Sequence, residues 1–240
     1  MGTAPYELWV YLSANPLLWL TLTVGVFVGA QRIARATRYH PVVNPVLISI
    51  VVVVLVLGLT GTTYDTYFDG AQFIHFLLGP ATVALAVPLY RARRLVTTKA
   101  LPILAALAIG APFAIASATI IAFLLGGSRE IILALVPKSV TAGIAVGLAG
   151  EIGGEPALTA VLVIATGILG AVIVTPLMNA LKITDYAARG FAAGLTSHGI
   201  GTARAYQVDP IAGSFAGLAM ALNGIATACI VPPVFGIFTW

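Results

Sequence analysis

Lys138 stands between Pro137 and Ser139, with Thr141 close behind, inside an apolar run from about residue 131 to 149. An ammonium at the centre of a bilayer costs at least about 2.5–3.5 kcal/mol, so at that depth it needs a cavity or a partner. Two placements are open. A helix that starts at Pro137 near an interface would let Lys138 snorkel to water. A helix that starts at Pro137 in mid-membrane would instead offer free N–H groups and a positive dipole end, which together with Lys138, Ser139 and Thr141 suit a carboxylate. A second polar string, TSHGIGTARAY (196–206), puts Ser197, His198, Thr202 and Arg204 into a run opened by Gly199 and Gly201. Adjacent residues of a helix point about 100° apart, so Ser197 and His198 do not form a nucleophile–base pair, and no hydrolase or other enzyme is predicted. His40, His75 and His198 lie in separate runs without ligand spacing, which gives no metal site, and nothing in the chain calls for a cofactor. Thr82, beside a Gly79-Pro80 interruption, and Asn223, deep in the last apolar run, complete the candidate substrate-binding set.

The elements that carry these residues follow from composition. Of 240 residues 60% are hydrophobic and 8% charged. A charged share so far below the roughly 25% of soluble chains excludes a water-soluble enzyme. About 20 apolar residues cross a bilayer, and the chain divides into about eight apolar runs. They lie near 8–30, 43–60, 72–90, 100–126, 131–149, 156–181, 187–206 and 210–239, which leaves no room for a soluble domain. Runs this long without alternation are helices, because lipid leaves no partner for free backbone groups. The expectation is therefore one all-α, multi-pass domain over 1–240 in the cell (inner or plasma) membrane, broken near 79–80, 137–138 and 197–201. The first run lacks the features of a cleaved signal peptide. Cys229 has no partner for a disulfide. The net charge of +4 is too sparse to line a nucleic-acid groove.

A polar turn holding Asp65 and Asp69 is expected between the second and third runs. The linkers with Arg32, Arg35 and Arg38, and with Arg91, Arg93, Arg94 and Lys99, hold 7 of the 12 basic residues, so both are expected at the cytoplasmic face. The loops beyond residue 150 are too balanced in charge to orient the second half. A shift of about 57 residues pairs Pro80 with Pro137, Val83 with Val140, Leu101 with Leu158, and Gly110 with Gly167, the weak trace of a repeat. Each unit would hold an interrupted and an uninterrupted segment, and interrupted helices at corresponding positions point to a transporter's binding site.

The strings QFIHFLLGPATVALAVPLYR (72–91), PKSVTAGIA (137–145), EIGGEPALTAVLVIATGILGAV (151–172), ARGFAAGLTSHGIGTARA (188–205) and GLAMALNGIATA (217–228) resemble the LrgB/CidB family over roughly residues 40–235. Where that family's string runs PKSVTTPIA, this chain has Ala142 and Gly143. The family includes the plastid glycolate/glycerate translocator. The resemblance implies an antiholin-like membrane protein tied to autolysis control and murein hydrolase regulation, or a carrier of small monocarboxylates such as glycolate, glycerate, lactate or pyruvate. It also implies a small LrgA/CidA-type membrane partner. With the interrupted helices it makes a secondary transporter the leading expectation, the anion drawn by Lys138 and Arg204, its hydroxyl or oxo group bound by Ser139, Thr141, Ser197, Thr202 and Asn223, and His198 carrying a coupled proton. A holin-like pore component is the alternative, and a homodimer is the expected assembly.

Overall fold

The computed structural model describes residues 15–40, 42–77, 80, 83–84, 86–91 and 93–235. Gly79 and Thr82 therefore lie outside the described residues, and so does most of the break expected there. By internal contacts the chain divides into two units, at Ala86.

The first unit holds α1 (Pro16–Ala36), α2 (Pro45–Thr60) and α3 (Tyr64–Phe76). Asn15 and Asn44 cap α1 and α2 ahead of a proline at the first helical position, where its missing N–H costs nothing. Two expectations are corrected here. Arg32 and Arg35 are not in a linker but in the last turns of α1. The expected polar turn with Asp65 and Asp69 is the start of α3, because Thr63 caps it and Asp65 complements the dipole of its first turn. Gly70 lets α3 approach α1 closely, since a Cβ there would lie 2.9 Å from that of the buried Trp19.

The division falls in α4 (Ala86–Arg91), and α5 (Arg93–Thr98) leads into the second unit. There α6 (Ala100–Leu124), α9 (Pro156–Ala180) and α11 (Pro210–Phe235) are each long and apolar enough to cross a membrane. Between α6 and α9 the chain forms α7 (Arg129–Leu135) and α8 (Ala142–Glu151), of 7 and 10 residues. At 1.5 Å per residue neither crosses about 30 Å of hydrocarbon. They fold against each other: Leu133, Val136, Leu148 and Ile152 share one buried cluster, and a Cβ on Gly154 would lie 3.1 Å from the Leu133 carbonyl carbon. In a continuous helix those two residues would be about 30 Å apart. The expected fifth span is therefore a re-entrant hairpin, and its tip is 136–141.

The element α10 (Tyr186–Val208) turns back in the same way, at Ser197 (φ −127°, ψ 17°) and His198 (φ 40°, ψ −132°). Its arms are 186–196 and 199–208. Arg189 on the first donates to the Thr175 carbonyl at 3.4 Å and Arg204 on the second to the Thr175 hydroxyl at 3.5 Å, although a straight helix would set them about 22 Å apart. The expected break at Gly199 and Gly201 is thus corrected to Ser197–His198. Gly201 serves the close approach of the arms, since a Cβ there would lie 2.5 Å from the Ala193 carbonyl oxygen.

Which face each hairpin enters follows from contacts. Lys99, just before α6, pairs with Asp185, which caps α10, at 2.5 Å. That ammonium holds the Asp185 carboxyl below the ordinary carboxylate range. Farther in, a Cβ on Gly110 would lie 2.9 Å from the Leu195 side chain, so α6 and the first arm run in parallel from one face. A cluster of Ile103, Phe191, Leu195 and Phe215 fills the end near this face, and one of Ile115, Leu133, Leu148 and Val231 the other. The second unit is thus three crossing helices with two hairpins entering from opposite faces. The shift of about 57 residues now has a structural meaning: it carries α7 and α8 onto α10, and α6 onto α9 within one residue. Each unit of span plus hairpin crosses once, which inverts the next.

Eight full crossings would have put Glu151 and Glu155 on the face of Lys99. The hairpins put them opposite, together with Arg129 and Glu130, and leave Lys182 with Lys99. The basic bias then runs through the whole unit. In a Cys229→Ala background, a cysteine replacing Lys182 is expected to resist an impermeant thiol reagent in intact cells while one replacing Glu151 reacts. Labelling in the reverse pattern would overturn a cytoplasmic Lys99 face.

Candidate functional site

The two hairpin tips meet halfway along α11. There the buried Asn223 amide donates to the Ser139 carbonyl at 3.1 Å and to the Leu195 carbonyl at 2.9 Å, so one nitrogen holds a residue from each tip. Those two acceptors fix the orientation of the amide. Its oxygen, Oδ1, is buried without a hydrogen-bond partner among the described residues. The breaks near 137 and 197 therefore face one another, as their sequences suggest.

On the first tip Pro137 and Ser139 are buried and Lys138 is half-buried, its ammonium 3.2 Å from the Ser139 hydroxyl. Pro137 does not start the following helix, which is a correction. It lies in the turn, and α8 begins at Ala142 with Thr141 at the N-cap. The Thr141 side chain makes no capping bond there, unlike Asn44, Ser128, Glu155 and Asp185, which cap their helices. The first-turn N–H groups of α8 therefore remain open to a ligand at the tip.

On the second tip the His198 ring lies in a notch on α9. A Cβ on Gly167 would be 2.6 Å from its Cε1, and one on Gly170 would overlap the Ser197 hydroxyl. Nε2 of His198 donates to the Val163 carbonyl at 2.9 Å, which places a proton on Nε2. This anchoring compensates a backbone conformation that side-chain-bearing residues rarely adopt. Thr202, by contrast, gives its hydroxyl to the His198 carbonyl at 2.8 Å and stabilises the turn. Arg204 is not gathered with Lys138. It lies toward the opposite end of the second arm, near Thr175 and Gln207, in a small cleft of about 20 Å³ shared with Arg189.

The site thus gathers Lys138, Ser139, Thr141, Ser197, His198 and Asn223 and leaves out Arg204. Sequence reading missed Gly167 and Gly170; their spacing on one face of α9 was the available signal, since small residues at such spacing admit a neighbour's bulk. Gly167→Val is expected to cost about 1–3 kcal/mol by overpacking against His198, seen as a lower unfolding temperature of the purified protein. An unchanged temperature would show that the His198 ring yields freely.

Long apolar helices, paired re-entrant hairpins, a half-buried cation at one hairpin tip and an uncapped half-helix define a polytopic α-helical membrane protein with a candidate polar site. The family model described as the LrgB-like family matches residues 23–237, and the chain belongs to that family. It is 37% identical over 214 residues to the uncharacterized protein YwbG of Bacillus subtilis (strain 168), covering 89% of this chain and 94% of that one. It is 30% identical over 225 residues to the holin-like protein CidB of Staphylococcus aureus (strain Mu50), covering 92% and 96%. The uncharacterized protein YxaC of Bacillus subtilis is 29% identical over 222 residues. No solved structure matches the chain.

Proposed function

We propose that the protein is a secondary transporter of small monocarboxylates of the glycolate, glycerate, lactate or pyruvate class. The observation that carries this reading is the meeting of two oppositely inserted hairpin tips at Asn223, beside a mid-membrane ammonium. Lys138 and the first turn of α8 take the carboxylate. Ser139, Thr141, Ser197 and Asn223 serve its hydroxyl or oxo group, and His198 is the group through which a proton couples. Thr202 and Arg204 act from farther off, by holding the second hairpin. Each tip is reached from one face, so displacing one hairpin at a time opens the site to alternate sides.

A holin-like pore component is the second reading, favoured by the similarity to the holin-like protein CidB. In that reading the chain acts by assembling, as a dimer or with a small LrgA/CidA-type protein, in control of murein hydrolase activity and lysis. Uptake of labelled carboxylates by liposomes holding the purified protein separates the two. A carrier gives saturable uptake that competing monocarboxylates suppress and neutral polyols do not. Non-saturating leakage of charged and neutral solutes alike would overturn the carrier and favour the pore.

A further inference from the structure

A groove of about 540 Å³ runs between α6 and the first arm of α10. Its walls are two facing rows of small side chains, Pro102, Ala106 and Gly110 on one helix and Ala188, Ala192 and Thr196 on the other, over a floor that includes the buried Ile103 and Phe191. Facing rows of small residues ordinarily let two helices touch. Here they stand apart and leave a trough, closed at its deep end where Leu195 meets Gly110. From Lys99 to Gly110 the groove covers about 16 Å of helical rise, close to half of the roughly 30 Å hydrocarbon core. It is one leaflet deep.

Its shallow end is charged, with the basic groups in excess only once the preceding chain segment is counted. Lys99 and Asp185 line the mouth, and exposed Arg91, Arg93 and Arg94 immediately precede it in the chain. Lys99 also occupies the N-cap of α6 without a side-chain capping bond, so the N–H groups of Ala100 and Leu101 lack a side-chain cap at the same place, Pro102 having none. Asp185 is already engaged by Lys99 and by the backbone N–H groups of Ala187 and Ala188. An apolar trough of one-leaflet length with basic residues about its mouth does not suit a small hydrophilic anion. It suits an amphiphile with an anionic head.

We infer that this groove holds one acyl chain of an anionic phospholipid, with the phosphate at Lys99 and the start of α6. Juxtamembrane basic residues supply the preference for negative headgroups, and the groove supplies a fixed place for one chain. The bound lipid then packs against the first arm of the second hairpin along its length.

The test is native mass spectrometry of the full-length protein released from nanodiscs of equimolar phosphatidylglycerol and phosphatidylcholine. The expected result is one retained phosphatidylglycerol, favoured over phosphatidylcholine by at least about tenfold. Ala192→Trp, which fills the trough from a half-buried position on its wall, is expected to abolish retention. Lys99→Gln is expected to keep a lipid but lower the preference roughly fivefold. Equal retention of the two lipids, or retention unchanged in Ala192→Trp, would overturn the inference. So would a disulfide linking the Ala192→Cys groove of one copy to that of another, which would make the occupant a second protein chain. Ala106→Trp fills the trough from the opposite wall and serves if Ala192→Trp does not fold.

Discussion

Replacing Lys138 with alanine is expected to reduce carboxylate uptake by tens to thousands of fold while the protein still inserts and accumulates. The argument begins with depth. Lys138 is reached after the seven residues of α7, about 10 Å of helical rise, and a short turn, and the ten residues of α8 lead from the tip back to the same face. A lysine stem is shorter than that distance, which argues against snorkelling to the face. An ammonium held there costs about 2.5–3.5 kcal/mol, which its hydrogen bond to Ser139 offsets only in part. Removing it therefore relieves the fold, whereas removing the charge partner of a desolvated anion costs about 2–5 kcal/mol. The measurement is initial uptake by liposomes at equal protein content, with insertion checked by protease protection. Wild-type uptake by Lys138→Ala would overturn the role of Lys138 as carboxylate partner and leave it a tolerated buried cation.

The residues of the candidate site stand out in the sequence; their geometry does not. Polar groups stand out in an apolar chain, so Lys138, Ser197, His198 and Asn223 announce themselves by type alone. Direction does not. A run of about 20 residues satisfies the length rule whether it crosses or doubles back, and hydropathy carries no sign of which it does. Pro137 and the glycines after His198 mark both breaks to within a few residues, yet the turn in the second hairpin falls on Ser197 and His198 themselves. Their conformation is stabilised by a notch at Gly167 and Gly170 on another helix, which no local pattern reveals. Arg204 was misplaced for the same reason. On a straight helix it follows His198 by less than two turns, deeper along one path. After the reversal it travels back toward the face from which the hairpin entered. The repeat was a faint match of scattered residues until the hairpins showed that each unit crosses once.

Asn223→Leu is expected to abolish transport and, unlike Lys138→Ala, to destabilise the fold. Leucine keeps the same branched skeleton of four side-chain heavy atoms, so no cavity accounts for the effect, and the Asn223→Asp variant below controls for its bulkier methyl groups. What it removes is the one group that donates to both tips, leaving the carbonyls of Ser139 and Leu195 without that amide in the interior. Each buried acceptor so stripped costs about 1–3 kcal/mol, more than the net worth of the bond itself, because water cannot replace the donor. The tips then separate, and a cysteine at Val140, buried in the native tip, becomes reactive to a small permeant thiol reagent in the Asn223→Leu background. Asn223→Asp sharpens the test. It preserves shape almost atom for atom but sets a carboxylate against two carbonyl oxygens, so it is expected to be at least as damaging as leucine despite being polar. Were the amide only a filler of space, both variants would keep uptake, a low Val140→Cys reactivity and the wild-type unfolding temperature. Loss of uptake with the tips still protected would instead move Asn223 from holding the tips to binding the substrate through its unpaired Oδ1. Loss of all three together is the result that a bond shared between opposite hairpins requires.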